Sequence, residues 1–132
     1  MIHNQHIKSE LGQDIIFQVR EISNPFPEVE EQIDKFGHTS FRIKDKPFVI
    51  IGESEKGLAS LAIKTLKTTQ SFLLNQQDRF FKTPYIGQHG WTSLHIGKSL
   101  DWKEIEGLIK EAYLQTAPKK IVAAFRSMEN PE

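Results

Sequence analysis

The sequence contains no cysteine, which excludes disulfide bonds, thiolate metal sites and catalysis by a thiol. It also contains no apolar run that approaches the ~18 residues needed to cross a bilayer, so we expect no contact with a membrane. The opening residues, MIHNQHIKSELGQ, lack the apolar stretch of a signal peptide. These absences together predict a soluble, cytoplasmic protein.

A net excess of charge is also missing, because 17 basic residues balance 17 acidic residues. Proteins that bind nucleic acid nonspecifically usually carry a basic excess that releases counterions from the phosphates. The balanced total therefore counts against a strong nonspecific DNA-binding protein. The charge is nevertheless uneven along the chain, since residues 58–100 contain five Lys or Arg and a single Asp. The middle of the sequence is locally basic.

Two helices are predicted near the start of the sequence. Apolar residues recur at spacings of four and three from Ile7 to Ile22, which predicts a helix over residues 4–22. Residues 27–37, PEVEEQIDKFG, open with a proline followed by acids, as many first helical turns do. This segment predicts a second, short helix.

The pattern then changes to the alternation of a strand. Apolar and polar residues alternate in HTSFRIKDKPFVII, which predicts a β-hairpin with its turn at Asp45-Lys46. The segments that follow are a strand in GLASLAIKTL, a short helix in TTQSFLLNQQ capped by Thr68 or Thr69, strands in RFFKTP and WTSLHI, and a helix in DWKEIEGLIKEAYLQTA with a capping box at Asp101 and Glu104.

This order of elements predicts one α+β domain over residues 1–132. Short turns between strands favour antiparallel pairing, and helices with one apolar face must cover a sheet. We therefore expect a two-layer sandwich, with an antiparallel sheet of about five strands and the N- and C-terminal helices on one face.

The order and spacing of four segments resemble the MmcQ/YjbR family over roughly residues 24–120. The resemblance implies a fold similar to that of bacterial frataxin and a role as a predicted DNA-binding protein with a "double-wing" motif. Members often place a His directly before the Trp, whereas the order here is His89-Gly90-Trp91. The four segments are FPEVEEQIDKFGHTSFRI, KDKPFVII, LAIKT, and GW followed through a strand by DWKEIEGLIKEAYLQTAPKK.

Basic residues on the predicted hairpin and in the basic middle segment are the candidates for contacting DNA. A hairpin tip that carries Lys and Arg suits a wing that contacts phosphates. In a second interpretation, the same outward side chains protect a sheet edge and keep the protein soluble. The candidate DNA-binding residues are Arg42, Lys44, Lys46, Lys64, Lys67 and Lys98.

The loop PYIGQHGWTSLHIG also has two interpretations. Tyr85, His89 and Trp91 can form a recognition patch, since aromatic rings stack on bases and ligands. Alternatively, Gly87 and Gly90 permit a turn between strands, and Trp91 anchors the strand that follows. The first interpretation gives the alternative function of a binding module for a protein or a small molecule.

No motif of an enzyme is present in the sequence. It contains neither a G-x-S-x-G elbow, nor an HExxH helix, nor a phosphate-binding or dinucleotide-binding glycine pattern. The support for a catalytic or metal site is limited to His38, His89 and His95, and a structural zinc site needs four ligands. We therefore expect a non-enzymatic protein without cofactor or metal, whose partner is DNA or alternatively a protein or small molecule.

Overall fold

The computed structural model describes residues 7–97 and 99–131, in which four α-helices lie beside a six-stranded antiparallel sheet. The strand order is β1-β2-β3-β4-β6-β5. This architecture confirms the predicted α+β sandwich and adds one strand to it. In chain order, the elements are α1 (Glu10–Ser23), β1 (Val29–Ile33), β2 (Thr39–Ile43), β3 (Lys46–Glu53), β4 (Ala59–Lys64), α2 (Lys67–Leu73), β5 (Phe80–Lys82), a 3-10 helix (Gly87–His89), β6 (Trp91–Leu94), α3 (Trp102–Thr116) and α4 (Lys119–Glu129).

The additional strand replaces the short helix predicted over residues 27–37, and that prediction was wrong. β1 pairs with β2 along its whole length, from Val29 opposite Ile43 to Ile33 opposite Thr39. Pairing with β2 satisfies backbone groups that an isolated helix of this length leaves largely to water. The acids that suggested a helical first turn instead lie along a sheet edge, where charge discourages pairing with another chain.

The first helix is shorter than predicted. It begins at Glu10 rather than residue 4, and residues 1–6 lie outside the described part of the chain. Ser9 has extended backbone angles, and its Oγ accepts a hydrogen bond from the Gly12 N–H at 3.0 Å. Ser9 is therefore an N-cap, and it sets the start of the helix. The Glu53 carboxylate, at the end of β3, accepts hydrogen bonds from the backbone N–H groups of Lys8 and Ser9 and joins α1 to the sheet.

Two local predictions were wrong by small amounts. The hairpin turn is Lys44-Asp45 rather than Asp45-Lys46, and both residues have positive φ (52° and 65°). A two-residue turn of this kind matches the twist of the strands that it joins. α2 begins at Lys67 after an N-cap at Leu66, which provides no side-chain cap. Thr69, predicted as a possible cap, instead donates a hydrogen bond to Glu111 of α3 at 2.6 Å.

The core lies between the sheet and one layer of helices, as the sequence predicted. Buried side chains on adjacent strands face each other in register, with Phe41 opposite Val49 and with Leu61 between Ile51 and Leu94. α1 and α3 contact each other and both pack on β3 and β4. Among the described helices, none combines the length and the apolar character that crossing a bilayer requires.

α4 is held against α3 by a cluster of aromatic rings around Tyr113. The Tyr113 ring stacks on Phe26 with 4.7 Å between centroids, and it meets Phe125 of α4 edge to face at 5.6 Å. Its hydroxyl donates a hydrogen bond to the Pro27 carbonyl oxygen at 2.8 Å. Tyr113 therefore joins α3, α4 and the loop before β1.

We expect Tyr113→Phe to reduce the dependence of stability on alkaline pH. Burial, with the nearby Glu28 charge, raises the pKa of Tyr113 to about 12, whereas an unfolded tyrosine titrates near about 10. Because the folded pKa is the higher one, this stabilisation is complete below about pH 10 and is lost as the pH rises toward 12. Urea unfolding at several pH values from about 9 to 11.5 should show a steeper loss of stability for the wild type. If the free energy of unfolding falls equally steeply with pH in both proteins, Tyr113 is not the source of the pH dependence, since every other titratable group is present in both.

Candidate functional site

The two ends of the sheet differ in charge. One end, called here the hairpin end, is where β2 turns into β3. β4 and β5 end there and β6 begins there, because Lys64 at the end of β4 pairs with Trp91 and Lys82 at the end of β5 pairs with Thr92. The acids in or beside the connections here are Glu28 and Asp45. The basic residues in or beside the same connections are Lys44, Lys46, Lys64, Lys67, Lys82 and Lys119.

The opposite end of the sheet, called here the far end, has the reverse balance in the described residues. Its connections are those between β1 and β2, between β3 and β4, before β5 and after β6. The basic residues in or beside them are Lys35, Lys56 and Arg79, and Lys8 lies beside Glu53 at the same end. The acids are Asp34, Glu53, Glu55, Asp78 and Asp101. In the described residues, the excess of positive charge is thus concentrated at the hairpin end.

A groove of about 790 Å³ lies at the hairpin end, between the β2–β3 turn and α4. We call it the basic groove. Lys44 and Lys46 form one wall, and Lys119 and Arg126 form the other. None of the described residues that line it is acidic. The remaining lining residues, which form the floor and the lower part of the α4 wall, are Leu114, Gln115, Thr116, Ala117, Pro118, Val122 and Ala123.

The wall formed by the hairpin has a turn that is held by Arg42 and two exposed lysines, Lys44 and Lys46. Arg42 does not point into the groove as a free cation, because its guanidinium donates to Ser40 Oγ at 2.8 Å and to the Asp45 carbonyl oxygen at 3.0 Å. It therefore braces the turn. Lys44 Nζ lies 2.8 Å from Glu28 Oε1, and this hydrogen bond raises the pKa of Lys44 above its usual value. More than half of each side chain of the pair is exposed, so solvent screens the interaction.

The wall formed by α4 was missed by the sequence analysis, which predicted no helix after residue 117. Lys119, Val122, Ala123 and Arg126 follow the i, i+3, i+4, i+7 spacing of one helical face. That spacing was the available signal, but it does not reveal what the face is turned toward. Among the residues that line the groove, Thr116 has a buried Oγ1 without a hydrogen-bond partner.

The structure brings some of the other predicted DNA-binding residues close to the groove. The Lys64 carbonyl oxygen accepts a hydrogen bond from Gln115 Nε2 at 2.6 Å, and Gln115 lines the groove. Lys67 follows three residues later, at the start of α2. Both lysines belong to the hairpin end but do not line the groove. Lys98 lies outside the described residues.

The loop from Pro84 to Gly90 separates its three predicted recognition residues. Trp91 is only 6% exposed, so its ring is not available for stacking on a ligand. Tyr85 is 94% exposed, and His89 is exposed within the 3-10 helix. Gly90 has φ of +98°, and a Cβ atom there would overlap the Thr65 carbonyl oxygen. Gly90 thus fulfils the turn-forming part of the second interpretation, whereas Gly87 has no positive φ and instead starts the 3-10 helix. Tyr85 remains exposed at the surface.

His38, His89 and His95, the histidines of the described residues, do not assemble into a metal site. No group of three or more potential ligands is close enough to hold a metal ion in the described part of the chain. His38 Nδ1 lies 3.4 Å from Asp34 Oδ2. The same aspartate accepts hydrogen bonds from the backbone N–H groups of Phe36 and His38, which explains its position as part of the β1–β2 turn. His95 instead packs its ring on Phe81, with 4.6 Å between centroids.

The fold and the groove define a small α+β sandwich protein with a cationic cleft at one end of its sheet. The family model described as YjbR matches residues 25–115. That range is more than half of the chain, so the protein belongs to the YjbR family. The match contains all six strands and ends before α4, which means that one wall of the basic groove lies outside it. No curated protein matches the sequence.

Proposed function

We propose that this YjbR-family protein binds nucleic acid, without catalysing a reaction, by holding the phosphate backbone in the basic groove. The observation that supports this most directly is the placement of two cations on each wall, with no acid among the described lining residues. A ligand that contacts both walls must carry several negative charges. Nucleic acid is the macromolecule that presents such charges in a regular row.

The cations of the groove are available for this role. In the described part of the chain, the ion pairs join Arg20 to Glu31, His38 to Asp34, Lys44 to Glu28, Arg79 to Glu104 and Lys110 to Glu129. Lys46, Lys119 and Arg126 therefore form no ion pair with a described carboxylate. These three side chains can therefore bind a phosphate without breaking an ion pair with a described residue. Lys44 would break only its solvent-exposed ion pair with Glu28.

The spacing of the α4 cations is compatible with a nucleic-acid backbone. Lys119 and Arg126 are seven residues apart on one face, so their Cα atoms are separated by about 10 Å along the helix axis. A duplex rises about 3.4 Å per nucleotide on each strand, so the two cations span about three nucleotides. Because Lys44 and Lys46 form the opposite wall, one strand lying in the groove can be contacted from both sides.

The salt dependence of binding tests the proposal. Four phosphate contacts predict a fall in affinity of about 50-fold for a single strand and about 150-fold for a duplex between about 50 and 200 mM salt. Fluorescence anisotropy with labelled oligonucleotides measures both values. The variant Lys119→Ala/Arg126→Ala should bind more weakly and reduce the slope of log affinity against log salt by about 1.4 to 1.8.

A matched control is Lys35→Ala/Lys56→Ala, which removes two cations from the far end. It should retain the affinity and the slope of the wild type. If the wild type does not bind at about 50 mM salt, or if both double variants lose the same affinity, the basic groove is not a nucleic-acid site.

A second candidate function is suggested by the apolar lining of the basic groove. Leu114, Ala117 and Val122 contribute apolar surface, and the groove volume lies within the ~300 to 1,000 Å³ range of small-molecule pockets. An anionic small molecule with an apolar part fits this combination. For such a ligand, the slope of log affinity against log salt should correspond to about one ionic contact. The ligand should also compete with an oligonucleotide in the same anisotropy assay.

A further inference from the structure

Tyr85 is the most exposed large apolar side chain in the described part of the chain, at 94%. Its ring therefore makes almost no contribution to the core. Its backbone also has a positive φ of 69°, a conformation that side chains other than Asn, Asp and Gly adopt reluctantly. Neither packing nor backbone geometry explains a tyrosine at this position. A ring that the fold does not use is available to a partner.

The loop that carries Tyr85 is held firmly in place. The N–H groups of Ile86 and Gly87 donate to the carbonyl oxygens of Pro84 and Thr83, both at 2.8 Å. The Gln70 side-chain amide, buried under the loop, donates to the carbonyl oxygens of Gly87 and Trp91, both at 2.9 Å.

A second anchor ties the loop to the end of β4. The Gly90 carbonyl oxygen accepts from the Thr65 backbone N–H at 3.1 Å and from its hydroxyl at 2.7 Å. The backbone around the exposed ring is therefore ordered before any ligand arrives. Binding to a fixed loop loses less conformational entropy than binding to a loop that must first be ordered.

Cations surround the loop. Lys82 ends β5 just before it, and the Lys82 side chain lies over Gly87. Lys64 pairs with Trp91 at the other end of the loop. These lysines belong to the hairpin end, as do the cations of the basic groove. A nucleic-acid strand that lies on this end of the sheet thus meets an exposed aromatic ring on an ordered loop that is flanked by lysines.

We propose that Tyr85 stacks on an unpaired base, so that the preferred ligand is single-stranded nucleic acid rather than a duplex. This inference rests on the proposed function. In a duplex each base is covered on both sides by its neighbours, and a ring on a loop tip reaches only the backbone. In a single strand a base can turn toward the ring, as in many single-strand binding proteins that combine aromatic platforms with a cationic track.

The test compares Tyr85→Ala with Tyr85→Phe in the full-length protein, using labelled oligothymidine and a duplex of equal length. Tyr85→Ala should weaken binding to the single strand by about 5- to 150-fold, the range for one stacked base. Its affinity for the duplex should be unchanged, and Tyr85→Phe should behave as the wild type because it keeps the ring. The salt slope should stay the same in all three proteins, since stacking releases no counterions.

A matched control is Phe72→Ala, which removes another exposed ring, on α2. It should bind the single strand as the wild type does. If the single strand and the duplex bind with equal affinity, or if Tyr85→Ala binds the single strand normally, the stacking role is overturned while the groove can still bind phosphates. If no oligonucleotide binds at all, the proposed function itself fails.

Discussion

Reversing one charge on each wall of the basic groove, with Lys46→Glu and Arg126→Glu, should reduce nucleic-acid affinity by at least about 70-fold for a single strand and about 200-fold for a duplex at 50 mM salt. These values correspond to the counterion release lost with two phosphate contacts. The two new carboxylates add repulsion to that loss. Both residues are exposed, so the fold should be retained.

The control for this variant changes the net charge by the same amount at the other end of the molecule. Lys35→Glu and Lys56→Glu are exposed positions in far-end turns. If nucleic acid recognises the groove, this control should lose only the small affinity that long-range repulsion explains, and the loss should disappear at about 200 mM salt. Equal losses in the two double variants would show that total charge, rather than the groove, determines binding.

Replacing Tyr113 with alanine should lower the free energy of unfolding by about 3 to 5 kcal/mol, the range for a large aromatic side chain removed from a core. The side chain is fully buried, and besides Phe26 and Phe125 it contacts Phe48 edge to face at 5.8 Å. Small domains have total stabilities of about 5 to 15 kcal/mol. This one substitution therefore removes a large part of the stability, which urea unfolding measures directly.

The loss should be concentrated at α4, because Tyr113 provides the surface on which Phe125 packs. We expect faster cleavage by trypsin at Lys119, Lys120 and Arg126 and weaker nucleic-acid binding, since one groove wall is loosened. Tyr113→Phe retains the ring and should lose only about 1 kcal/mol, for the hydrogen bond to Pro27. Resistance of α4 to trypsin in Tyr113→Ala would contradict this account of how the helix is held.

Local patterns were sufficient to predict most of the sheet. β2 and β3 follow each other directly, and their alternation of apolar and polar residues was visible within 14 residues. β1 was missed because its residues become a strand only by pairing with β2, and taken alone their proline and acids resemble a helix start. The order of elements also supported the family resemblance, which the family match confirms.

The candidate site depended on contacts that no local pattern contains. Lys44 and Lys46 were identified because a hairpin tip is recognisable in the sequence. Lys119 and Arg126 were not, because they face the hairpin only after α4 folds back along α3 through the rings of Tyr113 and Phe125. Gly90 was correctly associated with a turn, but the sequence did not show that Trp91 is buried while Tyr85 is exposed.

The excess of lysines at the hairpin end makes that end the positive pole of a protein whose net charge is zero. Because the net charge is zero, a polyanion does not attract the protein as a whole at long range, but its field exerts a torque on the uneven charge distribution. Under the proposed function, the hairpin end should therefore turn toward a phosphate chain during approach, which should raise the fraction of productive collisions. Its association rate should fall as salt is added even though its net charge is zero.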